Sequence, residues 1–194
     1  GIYDVVGSVV VAMMFLNNSM LTCTQRFVTY ALAKDDNSWL CRVFSHSVFI
    51  HFIFGVCIVT VGAVVGTYYI KEIMTLPVGR VSDALFVFYA ALATAFVTVI
   101  SVPYNALIIA NEHMGAFALI TIVDVLLKLS VALSLFLFTD SRLRAYALLL
   151  FIAAVIVRSI YTVYCRVAYK DVRIVAKFDR DIFKSMLGFL GWNT

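Results

Sequence analysis

Charge is scarce in this sequence. Only 13% of its 194 residues are Asp, Glu, Lys or Arg, about half the share carried by a soluble globular domain. Together with 63% hydrophobic residues and a mean hydropathy of +1.01, that scarcity excludes a water-solvated domain and puts the chain in a bilayer. Two prolines and nine glycines are too few for a disordered or collagen-like chain. The four cysteines, Cys23, Cys41, Cys57 and Cys165, have no CxxC or other metal-ligand spacing. They read as reduced, buried, small hydrophobes, and no metal site is expected. Walker A, HExxH and GxSxG patterns are missing too, as is an acidic pair of the kind a membrane glycosyltransferase would use. An enzyme is therefore not expected, nor a cofactor, and any transport must draw on an H⁺ or Na⁺ gradient, membrane potential or substrate supply.

Long apolar runs dominate what is present. A helix needs about 20 apolar residues to cross a hydrocarbon core of roughly 30 Å. Five runs qualify, at about 5–33, 43–69, 84–111, 115–138 and 143–166. A sixth segment begins near Asp181, a plausible N-cap, and runs over 182–194. The expected fold is all-α and membrane-embedded, with five complete transmembrane helices and the start of a sixth. With no initiator Met and an apolar segment just beginning at the end, the chain reads as part of something longer.

The joints between runs must alternate in side. Those at 34–42, 111–114 and 166–181 hold Lys34, Arg42, Arg166, Lys170, Arg173, Lys177 and Arg180, seven cations. The other two hold Lys71, Arg80, Arg142 and Arg144, four. The positive-inside rule puts the first set in the cytoplasm. The net charge of +4 thus reads as topology and lipid contact, not as nucleic-acid binding.

Polar residues recur on single helical faces. Asn18, Thr22, Gln25 and Thr29 follow spacings of 4, 3 and 4 and fall within about 60° of one another, with Arg26 on the flank. Thr94, Thr98, Ser101 and Asn105 repeat that spacing, with Pro103 among them expected to kink the helix and release a carbonyl. Thr121, Asp124 and Lys128 share a face, as do Arg158, Thr162 and Cys165. Ionisable groups cost about 2.5–3.5 kcal/mol each at a helix centre on the insertion scale, so the economical expectation is a shared polar cavity. Blander readings stand beside it. Asp124 and Lys128 could neutralise each other as an i, i+4 pair, and Arg26 and Arg158 could snorkel to the interface. Gly55, Gly62 and Gly66 read as a close-packing face. His46 and His51 read as interfacial or packed, not as ligands.

The stretches GIYDVVGSVVVAMMFLNNSM, TQRFVTYALAK, VFSHSVFIHF, VPYNALIIANEHMGAFALITIVDVLLKL and FKSMLGFLGWN resemble the O-antigen-flippase-like members of the multidrug/oligosaccharidyl-lipid/polysaccharide exporter superfamily, which are MATE-like. The resemblance runs over essentially the whole chain. It implies a two-lobe carrier of six plus six or more helices. Residues 1–169 would be the N-terminal lobe without its first helix, 170–181 a basic cytoplasmic connector between lobes, and 182–194 the start of the second lobe. It further implies a bacterial inner-membrane protein that moves undecaprenyl-pyrophosphate-linked oligosaccharide by alternating access through a cationic cavity. Membrane lipids and glycan polymerase or glycosyltransferases would be its partners. Under that reading Arg26, Lys128 and Arg158 attract phosphate, Asn18, Gln25 and Asn105 bond sugar hydroxyls or water, and Asp124 couples to H⁺ or Na⁺. A multidrug exporter of the same superfamily is the alternative. A membrane-embedded glycan-assembly enzyme and a non-transporting scaffold subunit come behind it.

Overall fold

The computed structural model describes residues 2–34, 36–74, 80–135, 142–175 and 179–192, with side chains from Asn18 onward except at 187 and 189–192. The described chain is helical with no strand. Its elements are α1 (Ile2–Ala33), α2 (Asn37–Tyr68) running into a π-helical turn (Tyr69–Ile73), α3 (Val81–Ala110), α4 (Met114–Ser134), α5 (Arg142–Ala168) and α6 (Arg180–Trp192). Among the described residues four helices are long and apolar enough to cross a membrane: Asn37–Ile73, Val81–Ala110, Met114–Ser134 and Arg142–Ala168. Much of the first expected span falls in 2–17, whose side chains lie outside the described residues. So do Lys177 and the last residues, 136–138, of the fourth.

The helix starts fall one to six residues before the sequence expectation, and capping explains two of them. Helix α2 begins six residues before the apolar run at 43, because Asp36 caps it. Its carboxylate accepts from the Ser38 hydroxyl (2.7 Å) and the Trp39 N–H (3.1 Å), and its carbonyl receives the Leu40 N–H (2.9 Å). At α6 the cap is Asp179, not Asp181. The Asp179 carboxylate takes the N–H groups of Asp181 and Ile182 (3.1 and 3.4 Å), leaving Asp181 in the first turn, where an acidic residue favours the helix dipole.

The contacts resolve into two compact units. The first comprises Gly1–His51, Val102–Met114 and Tyr164–Thr194; the second, Phe52–Ser101 and Gly115–Val163. All three joints with the larger basic count belong to the first unit.

In the second unit, α2 and α3 run antiparallel with glycines at the seam. A Cβ on Gly55 would come within 2.8 Å of Phe96, one on Gly62 within 2.7 Å of Leu92, and one on Gly66 would overlap the Phe88 ring. The Thr67 and Tyr89 hydroxyls bond at 2.8 Å beside that last contact. Arg144, at the start of α5, bonds Asp83 and Ser82 at the start of α3 and lies over the Phe86 ring. Cys57 is exposed, against the expectation of burial, because it lies about 200° around α2 from Gly55 at 100° per residue. Helix α4 leaves Leu119, Ile122, Val125, Leu126, Leu129 and Leu133 exposed, as a helix facing lipid or further helices does.

Candidate functional site: the α1 groove and the laced connector

The first unit holds the polar face of α1. Met20, Cys23, Thr24, Val28 and Ala31 are buried against the rest of the unit. Helix α6 packs there, with the Cys23 thiol directed at the Met186 carbonyl (3.7 Å). The opposite face presents Thr22, Gln25, Arg26, Phe27, Thr29, Tyr30 and Ala33 along a groove of about 730 Å³. Asn18 lies one turn before it, its carbonyl accepting the Thr22 hydroxyl (2.9 Å). Among the described residues no carboxylate lines the groove. It therefore offers one cation and several hydrogen-bonding groups on an apolar strip, an arrangement suited to an anionic or hydroxyl-rich ligand.

The other stripes are mostly satisfied within their own helices. Thr94, Thr98 and Ser101 donate to the carbonyls of Ala90, Thr94 and Val97 at 2.8–2.9 Å, and Thr121 and Thr162 bond Phe117 and Arg158 in the same way. A hydroxyl bonded four residues back needs no water and no cavity. On α4, Lys128 and Asp124 pair at 2.7 Å. In the second unit Arg158 is half-buried, as is Asp124, while its ion-pair partner Lys128 is exposed. Asn105 belongs to the first unit, where its side-chain oxygen is buried without a hydrogen-bond partner. Pro103, fully buried inside α3, lies two residues beyond the division between units. Among the described residues no three or more His, Cys, Asp or Glu side chains could hold a metal.

A further feature leaves little trace in the sequence. Side chains on the first turns of α2 capture the backbone of the segment after α5. The Cys41 thiol donates to the Asp171 carbonyl (3.2 Å) and accepts the Arg173 N–H (3.4 Å). Ser45 donates to the Cys41 carbonyl (2.6 Å) and accepts the Val175 N–H (2.8 Å). His46 donates from Nδ1 to the Arg42 carbonyl (2.7 Å), so Nε2 is left to accept the Asp179 N–H (2.8 Å). Arg42 and Asp179 add an ion pair at 3.5 Å. A non-helical segment needs donors and acceptors from somewhere, and α2 supplies them. The sequence signal is a Cys, Ser, His cluster at one end of an otherwise apolar helix.

Aromatic residues frame the same joints. Lys34 lies 4.8 and 5.1 Å above the rings of Tyr30 and Trp39, which meet edge to face. His113 stacks on Tyr169 (5.6 Å), and its Nδ1 is 2.7 Å from the Tyr169 hydroxyl and 3.3 Å from that of Tyr164. Burial, then the neighbouring Tyr164 and Cys165, pushes the Tyr169 phenol well above its ordinary range, so it stays protonated beside His113. Aromatic rings with a polar tip suit the level where a membrane meets water.

These features define an all-α, multi-pass membrane protein. Among solved structures, the chain is similar to an outward-facing conformation of a multidrug resistance MATE family transporter of the MOP superfamily, with a TM-score of 0.66 and 19% identity. The match covers 95% of this chain and 42% of that one, so the chain spans less than half of that transporter's length. At this identity the likeness is one of fold. No protein-family model matches the sequence, and no curated protein does.

Proposed function

We propose that this chain forms part of a MATE-like membrane transporter that flips a lipid-linked oligosaccharide, of the undecaprenyl-pyrophosphate-glycan type, across the bacterial inner membrane for surface polysaccharide or O-antigen export. The observation that carries this reading is the α1 groove, which combines Arg26 with Thr22, Gln25 and Thr29 and, among the described residues, is lined by no acid. A guanidinium favours phosphate oxygens, while amide and hydroxyl groups match sugar hydroxyls. Arg158, Lys128 and Asn105 are the further cationic and polar groups assigned to the path, with Asn18 at its edge. Asp124, ion-paired to Lys128, is assigned to coupling. Taking up a proton or Na⁺ there would release Lys128 from its partner.

A multidrug exporter is the second reading, favoured by the likeness in fold to a multidrug resistance transporter. It calls for an acid open to a cationic drug, and the α4 acid is already engaged by Lys128. The two readings separate in cells carrying the complete protein. Arg26→Ala and Arg158→Ala should abolish surface glycan display while membrane insertion stays normal. Unchanged display in both variants, with altered drug susceptibility, would transfer the assignment to drug export.

A further inference from the structure

A second cavity in the first unit shares no residue with the α1 groove. It measures about 310 Å³ and is lined by Phe44, Tyr104, Leu107, Cys165, Tyr169, Val172 and Ile174 together with Arg166, Lys170 and Arg173. That volume is at the lower end for a small-molecule site. Its floor is rigid. Phe44 and Tyr104 meet edge to face at 5.3 Å, and the Cys165 thiol points at the Tyr104 carbonyl (3.6 Å). Its rim follows the connector, whose backbone is held to α2 through Cys41 and Ser45. The three cations come at intervals of four and three residues, and among the described residues none of them enters a salt bridge. Among the described residues no carboxylate lines it.

We propose that this cavity is a phosphate-headgroup site, in which Arg166, Lys170 and Arg173 hold a phosphate group against the Phe44–Tyr104–Tyr169 wall. Three cations around one small space repel one another, and an anion between them removes that repulsion while satisfying planar guanidinium donors in pairs. The apolar floor and the position at the end of a membrane-spanning helix also suit the first carbons of a lipid. Basic pockets between transmembrane helices take anionic headgroups in this way. A phosphate there would tie α5 and the connector to α3 and to α2 through one ligand. The site stands whether or not the glycan reading holds.

The test uses the full chain in mild detergent and two probes, a fluorescent phosphatidylglycerol and inorganic phosphate. Arg166→Gln/Lys170→Gln/Arg173→Gln should weaken phosphatidylglycerol binding roughly a hundred-fold, from about five-fold per cation, and Arg173→Gln alone about five-fold. Lys71→Gln/Arg80→Gln, which removes charge at another joint, should bind as the parent does. Displacement of the lipid probe by inorganic phosphate, lost in the triple variant, would identify a free anion as sufficient. Lipid binding that phosphate does not displace would identify the headgroup of a membrane lipid. Equal binding by parent and triple variant, or equal weakening in the Lys71/Arg80 control, would overturn the proposal. Arg173→Gln keeps the test decisive if the triple variant does not fold.

Discussion

Lys128 Nζ lies 2.7 Å from Asp124 Oδ2, one helical turn along α4. The two charges neutralise each other inside a helix that is otherwise almost wholly apolar. Removing one partner leaves the other as a lone charge, which on the insertion scale costs about 2.5–3.5 kcal/mol at a helix centre. Asp124→Asn and Lys128→Met should therefore each impair α4 insertion by about 2 kcal/mol. The double variant should recover most of the loss. A translocon-insertion assay on the four members of the cycle measures this directly, and additive losses would mean that the pair is not coupled.

The glycine seam makes a graded prediction. A methyl group at Gly66 would overlap the Phe88 ring, whereas one at Gly62 meets the end of a Leu side chain at 2.7 Å and one at Gly115 meets nothing within 4 Å. A flexible Leu moves aside more cheaply than a ring held beside the Thr67–Tyr89 bond. Gly66→Ala should destabilise by about 1–3 kcal/mol and Gly62→Ala by less. Gly115→Ala should be neutral or slightly stabilising, because Ala is the better helix former. Thermal unfolding in detergent ranks the three, and Phe88→Leu should rescue Gly66→Ala.

The Asp36 cap sets an acid limit on the start of α2. The Ser38 hydroxyl, then the Trp39 N–H, hold its carboxyl below the ordinary value of 3.8. A lowered value means that the folded state favours the ionised form. The cap's contribution is thus complete above about pH 4 and is lost as pH falls through the lower, folded value. Amide exchange at Trp39 and Leu40, corrected for intrinsic rates, should be flat from pH 7 to 5 and accelerate only at strongly acidic pH. Asp36→Asn, which keeps an acceptor but cannot titrate, should remove that acid step.

Helical periodicity and apolar length made the fold legible. Each expected span has its helix, and the largest shift at a start, six residues at α2, falls where a capping carboxylate, Asp36, outranked hydropathy. The polar faces were less legible, because residue type does not reveal where a hydroxyl bonds. Thr94, Thr98 and Ser101 look like Asn18, Gln25 and Arg26 on a helical wheel. Yet the former satisfy themselves on their own helix, while Gln25 and Arg26 line an open groove. Cys41, Ser45 and His46 were harder still. Their partners are backbone groups about 130 residues away, and a backbone contact leaves no pattern in the partner's side chains.

That last contact makes the connector the most dependent part of the first unit. Ser45→Ala strands the Val175 N–H, and His46→Leu strands that of Asp179 at the cap of α6. A stranded group that stays buried costs about 1–3 kcal/mol, so the connector will instead open to find water. Hydrogen exchange should therefore rise across 171–175 in Ser45→Ala, and across 179–183 in His46→Leu, while α4 in the second unit keeps its protection. Cys41→Ser retains both a donor and an acceptor and should change little; Cys41→Val, with neither, should loosen Asp171 and Arg173. If all four variants exchange alike, the connector is held by its own packing and not by the side chains of α2. If only Cys41→Ser behaves as the parent, the hydrogen bonds themselves hold it, since Ser and Val differ there chiefly in polarity.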